Sequence, residues 1–136
     1  MLDTYTNTAQ TVAADGIILL NNNRIKTGCS VTHAAGSGAI SLNEKGVYLV
    51  HFNADAAEST TAGNITVQLF INGMLYPGAE ATADSTATTD IVNLDFETAI
   101  CVKNCKCCDT DTLTFVNIGV AAVFSNVEVV VTKKIC

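Results

Sequence analysis

The stretch GVYLVHFNADA, Gly46 to Ala56, alternates with a period of two: Tyr48, Val50, Phe52 and Ala54 fall on one side, Val47, Leu49, His51 and Asn53 on the other. That period is the signature of an extended strand, whose successive side chains point to opposite faces. Both sides are apolar near its start, as in a strand packed on a core on one side and on a neighbouring subunit or a long loop on the other. The next segment, NITVQLFING, repeats the alternation, with Ile65, Val67, Leu69 and Ile71 read as inward and Thr66, Gln68 and Asn72 as outward. Asn72 and Gly73 then form a tight hairpin turn, since both residue types accept positive φ. Pro77 and Gly78 are read as a second turn.

Working outward, AISL (Ala39 to Leu42), DIVNLDFETAICV (Asp90 to Val102), TLTFVNI (Thr112 to Ile118) and VFSNVEVVVTK (Val123 to Lys133) are further strands. Weaker ones lie around TVAA, GIILL and CSVTH. The total is roughly eight to ten, the range of a double-sheet jelly roll. No helical period runs for a useful length, and AESTTAG (Ala57 to Gly63) and ADSTATT (Ala83 to Thr89) read as polar loops. The chain is rich in Ala, Val, Ile, Leu and Thr and has no tryptophan, a composition suited to pleated, half-buried surfaces. One all-β domain spanning residues 1–136 is therefore expected.

The net charge of −6, with seven Lys and Arg scattered along the chain, leaves no basic patch to neutralise a phosphate backbone, so nucleic acid is not an expected partner. No apolar run approaches the ~18 residues of a membrane helix. The opening MLDTYTNTAQ lacks the charged and apolar regions of a secretory signal. Neither membrane insertion nor secretion is expected.

Six cysteines stand out, Cys29, Cys101, Cys105, Cys107, Cys108 and Cys136, four of them within CVKNCKCCDT at Cys101 to Thr110. Structural zinc usually takes two C-x-x-C pairs, and only Cys105 and Cys108 have that spacing, with Cys101 or Cys107 left to complete a compact site. Redox catalysis would need a helix after the C-x-x-C, and none follows. Cys29 and Cys101 also suit a plainer role as small buried hydrophobes in strands. The favoured reading is a disulfide staple of up to three bridges, each stabilising by about 2–4 kcal/mol. The pairing is open, and terminal Cys136 is placed to reach another chain. Bridges in an unsecreted chain fit a protein made in host cytoplasm and oxidised after release, as in a virion or, alternatively, on a spore surface.

Other chemistry is thinner. Asp109 and Asp111, with Asp90, Asp95 or Asp55, are weak calcium candidates, though paired aspartates in turns are more often turn formers. His33 and His51 are the only histidines, and no G-x-S-x-G elbow accompanies them. No catalytic residues are assigned, and no cofactor is expected. Tyr5 and Tyr76 are the candidates for exposed aromatic platforms.

Taken in order, GIILL, GCSVTH, ISLNEKGVYLVHF, ITVQLFINGMLYPGAEAT, TLTFVNIG and VEVVVTKKI resemble the tumour necrosis factor-like superfamily that includes the globular head of complement, especially its small phage and Firmicutes members. The most telling pieces are G-x-Y-x-V-x-F at Gly46 to Phe52 and NG-x-x-x-PGA at Asn72 to Ala79. The chain departs from many relatives at NCKCCDTD, where they carry a short KxGD-type turn. The resemblance implies a ten-stranded jelly roll that assembles as a homotrimer with one sheet facing the threefold axis. Val47, Leu49 and His51 would then meet that axis, where three imidazoles converge to hold an anion or metal, or repel one another once protonated. The plainer alternative for His51 is a half-exposed histidine with no partner. Phage members are capsid decorations, head fibres or adhesins, and Bacillus members coat spores. The resemblance thus implies a non-enzymatic, disulfide-stabilised virion surface module whose partners are itself, other virion or surface proteins and host glycans. The alternatives are a spore-surface protein and a small carbohydrate-binding module.

Overall fold

The computed structural model describes residues 1–103 and 110–135, and among them every regular element is a strand. In chain order these are β1 (Leu2–Thr6), β2 (Gln10–Val12), β3 (Gly16–Ile17), β4 (Asn22–Lys26), β5 (Val31–His33), β6 (Ile40–Leu42), β7 (Gly46–Glu58), β8 (Gly63–Ile71), β9 (Met74–Ser85), β10 (Val92–Val102), β11 (Asp111–Asn117) and β12 (Ala122–Ile135). They form two antiparallel sheets. The first runs β10-β7-β12-β1-β4, with β2 added against β12; the second runs β5-β6-β11-β8-β9, with β3 added against β11. The ten strands on these two paths make the jelly-roll sandwich, and the two short additions pin the N-terminal crossover to its neighbours.

The period-two reading of β7 holds residue by residue: Tyr48, Val50, Phe52 and Ala54 are all buried, while Val47, Leu49 and Asn53 are half-buried and His51 is exposed. Phe52 stacks on Phe96 of β10, with centroids 5.3 Å apart, and on Phe115 of β11 at 5.0 Å. This aromatic trio spans the two sheets, and such pairs add about 0.5–1.5 kcal/mol each beyond the area they bury. Val127, Val129 and Val131 of β12 and Ile65, Val67 and Leu69 of β8 fill the remaining core.

Several expectations need correction. Gln68 is 1% exposed, not outward, because its Nε2 donates to the carbonyls of Leu69 and Tyr76, which satisfies the amide inside. Pro77 and Gly78 do not end a strand. They lie within β9, where the pairing with β8 slips between Gln68 and Phe70, so the positive φ of Gly78 serves a bulge. The hairpin at Asn72 and Gly73 forms as expected, with φ of 53° and 77°. Strands β1 and β4 were not anticipated, since LDTYT and NNRIK are too polar to read as core strands. The hydroxyls of β1 are satisfied by the following segment: Thr4 Oγ1 donates to the Asn22 carbonyl at 2.8 Å, and Thr6 Oγ1 donates to the Leu19 carbonyl.

Candidate functional site: the outer face of the first sheet

Strand register determines what surrounds the outward side chains of β7. His51 stands opposite Glu97 on β10 and Val130 on β12, and Val130 stands opposite Asp3 on β1. One row toward the start of β7, Leu49 faces Ala99 and Thr132, and beyond it Val47 faces Cys101. One row the other way, Asn53 faces Asp95 and Glu128. The face is therefore split. Val47, Leu49, Ala99, Val130 and Thr132 make a small-residue, mainly apolar half, whereas Asn53, Asp55, Asn93, Asp95 and Glu128 make a polar half, and His51 sits on the boundary.

At that boundary His51 Nε2 lies 2.7 Å from Asp95 Oδ1, with the two side chains 47% and 53% exposed. The histidine thus has a carboxylate partner, which corrects the expectation of a partnerless ring. At this exposure the pair is worth no more than about 1 kcal/mol. A shallow groove of about 270 Å³ opens beside it, lined by Leu49, His51, Glu97, Val130, Thr132 and Lys134. On the polar half, Asn93 Nδ2 donates to Asn53 Oδ1 at 2.8 Å and to Asp55 Oδ1 at 3.0 Å, tying β10 to β7 through side chains as well as backbone. Further along, Arg24 of β4 reaches Asp3 and Glu128, both at 3.6 Å, and lies 4.6 Å over the Tyr5 ring.

Tyr5 is consequently covered by a guanidinium, and Tyr76 is half-buried with its hydroxyl donating to the Ala99 carbonyl at 2.7 Å. Neither offers the open aromatic platform that the sequence suggested. The expectation that Cys29 and Cys101 are buried strand residues also fails. Cys29 lies in the bend between β4 and β5, and Cys101 alternates outward between buried Ile100 and Val102; both are exposed and carry free thiols. Cys105, Cys107, Cys108, Cys136 and Asp109 lie outside the described residues. Asp111 accepts from Asn72 Nδ2 at 2.9 Å and so fastens the hairpin to β11. Among the described residues no three His, Cys, Asp or Glu side chains stand together as a metal site.

The pairings of Asp95 with His51 and of Arg24 with Asp3 escaped the sequence reading, which named Asp95 only as a calcium candidate, because the partners are 44 and 21 positions apart. The only available signal was the period-two phase of DIVNLDFETAICV, which puts Asp95 and Glu97 on the same side of the strand.

No family model matches the chain, and no curated protein matches it. Solved structures do. Murine APRIL at pH 8.0 superposes with a TM-score of 0.60 at 11% identity, over 94% of this chain and 95% of that one. The PRD1 vertex protein P5 superposes with a TM-score of 0.50 at 13% identity, over 94% and 93%. At such identities the likeness is one of fold: the chain has an all-β jelly-roll sandwich similar to those of APRIL and the vertex protein.

Proposed function

We propose that this protein is a non-enzymatic structural module that assembles as a homotrimer through the outer face of the first sheet and is displayed on a virion surface as a fibre or decoration. The observation that carries this reading is the split face of β7. Its apolar half, built around Val47, Leu49 and Val130, is covered by no segment of the described chain, and burying such surface against a second copy is the ordinary source of oligomer stability. The fold likeness to a phage vertex protein supports the virion setting. The polar half around Asp95 and Glu128 would then give the rim of each contact its direction.

A staple adds to this. Exposed Cys29 and Cys101, with Cys105, Cys107, Cys108 and Cys136, are the candidates for bridges that would lock the segment before β11 and the end of β12. Trimeric display multiplies weak contacts with host glycans through effective concentration. A spore-surface role is the alternative setting for the same architecture.

The test is sedimentation and light scattering of the purified chain, with and without reductant. Three copies per particle are expected, and Leu49→Asp should yield a folded monomer. A wild-type particle of 14.2 kDa at micromolar concentration would remove the assembly reading. Antibodies raised against the chain should decorate particles of the virus that encodes it; labelling of spores instead would select the alternative.

A further inference from the structure

We propose that the depression between the β5–β6 hairpin of the second sheet and Lys26 at the end of β4 is a binding site for an acidic sugar, a ring carrying a carboxylate or sulfate. The depression measures about 460 Å³ and is lined by Lys26, Thr32, His33, Ser37 and Ser41 around two alanines. That volume falls within the about 300–1,000 Å³ of small-ligand sites. Its lining contains no carboxylate, although the chain has 13 Asp and Glu against seven Lys and Arg. Lys26 is exposed, and its ammonium makes no ion pair among the described residues.

His33 gives the depression a fixed polar wall. It is 4% exposed, with Nδ1 2.6 Å from Asn23 Oδ1 and Nε2 2.7 Å from the Ser37 carbonyl oxygen. The orientation of the Asn23 amide is settled by its Nδ2, which donates to the His33 carbonyl at 3.0 Å. Both ring nitrogens are therefore held against oxygen atoms, which fixes the ring in the wall of the depression. An anion in the depression supplies a counter-charge for the Lys26 ammonium.

The hydroxyls complete the site. Ser37 Oγ accepts from the Ala39 N–H at 3.0 Å, and Thr32 Oγ1 accepts from Asn43 Nδ2 at 3.0 Å. With those acceptor roles taken, each retains an O–H to donate, and neither proton has an acceptor among the described residues. Ser41 stands directly opposite Thr32 across the β5–β6 ladder and adds a third donor. Since no apolar side chain larger than alanine lines the depression, recognition rests on charge and hydrogen bonds. That selects a hydroxylated anion over a fatty or aromatic acid.

The site deepens the glycan-contact part of the proposed function and rests on it only for biological setting. The experiment is calorimetric titration of the full chain at low salt with glucuronic acid, glucose, sodium sulfate and an oligoglutamate peptide, with the oligomeric state of the same samples read by light scattering. Glucuronic acid should bind about tenfold or more tightly than glucose, and Lys26→Ala should remove about as much, the scale of a charged hydrogen bond. Ser41→Ala, which leaves the core untouched, should weaken binding several-fold as a second readout. Equal binding of glucose and glucuronic acid, no binding of either, or an unchanged Lys26→Ala variant overturns the proposal. Tighter binding of oligoglutamate replaces the sugar with an acidic peptide, and sulfate binding as well as glucuronic acid reduces the site to an anion hole without sugar recognition; both outcomes count against it. A monomer that still binds glucuronic acid sinks the assembly reading alone.

Discussion

The two faces of β7 carry the same backbone and nearly the same apolar content at their start, yet they meet different fates. Inward, Tyr48, Val50 and Phe52 are fully buried, and the Tyr48 hydroxyl donates to the Glu44 carbonyl at 2.7 Å, so even the polar atom is satisfied. Outward, Val47 and Leu49 are half-buried in a face that the described residues leave open, and His51 is paired only at the surface. The first face is closed by intrachain packing and answers to fold stability. The second is where packing against another molecule can still contribute, so in the proposed trimer it would answer to assembly.

Mutations should separate the two. Phe52→Ala removes the ring shared by the Phe96 and Phe115 stacks and should cost about 3–5 kcal/mol in a chemical unfolding experiment, the range for aromatic truncation in a core. A loss below about 1 kcal/mol would mean the aromatic trio is not the centre of the core. Leu49→Asp should leave monomer unfolding within about 0.5 kcal/mol of the parent, the range of surface changes, while abolishing the oligomer in sedimentation. If both variants lose stability and association together, the distinction between faces breaks down.

Smaller effects sharpen the outer face. Replacing Asp95 by Asn removes the charged partner of His51 and should change unfolding stability by no more than about 1 kcal/mol, with any larger change confined to the oligomer. The smallest effect lies at the rim, in the loop leading into β10. The backbone N–H and then the hydroxyl of Thr86 donate to Asp90 and hold its carboxyl below its ordinary pKa. A depressed pKa in the fold means the contribution is present above the unfolded value and is lost as pH falls through the folded one. Hydrogen exchange at the Thr86 amide should therefore report loop opening at acidic pH that Asp90→Asn shows already at neutral pH. Identical protection in both proteins would remove that role.

Much of the architecture was readable before any coordinates. The alternation in GVYLVHFNADA assigned β7 and both its faces, and Asn-Gly assigned the hairpin between β8 and β9, because these signals are local and each residue type has a direct conformational cause. Gln68 was misread because alternation predicts where a side chain points, whereas a buried amide is tolerated when two carbonyls happen to meet it. Pro77 and Gly78 were misread for a similar reason: the same residues serve a turn or a bulge, and the pairing of β8 with β9 decides between them.

Composition and local period were enough, taken alone, to define an all-β chain with a strand apolar on both sides and little basic charge. They could do so because a strand's repeat and a turn's φ requirement are properties of a few adjacent residues. Only the tertiary structure placed β10 beside β7, so that Asp95 meets His51, brought Arg24 over Tyr5, and set His33 between Asn23 and Ser37. Those juxtapositions depend on sheet order and register between segments distant in sequence, which arise from the packing of the whole core rather than from any short stretch of it.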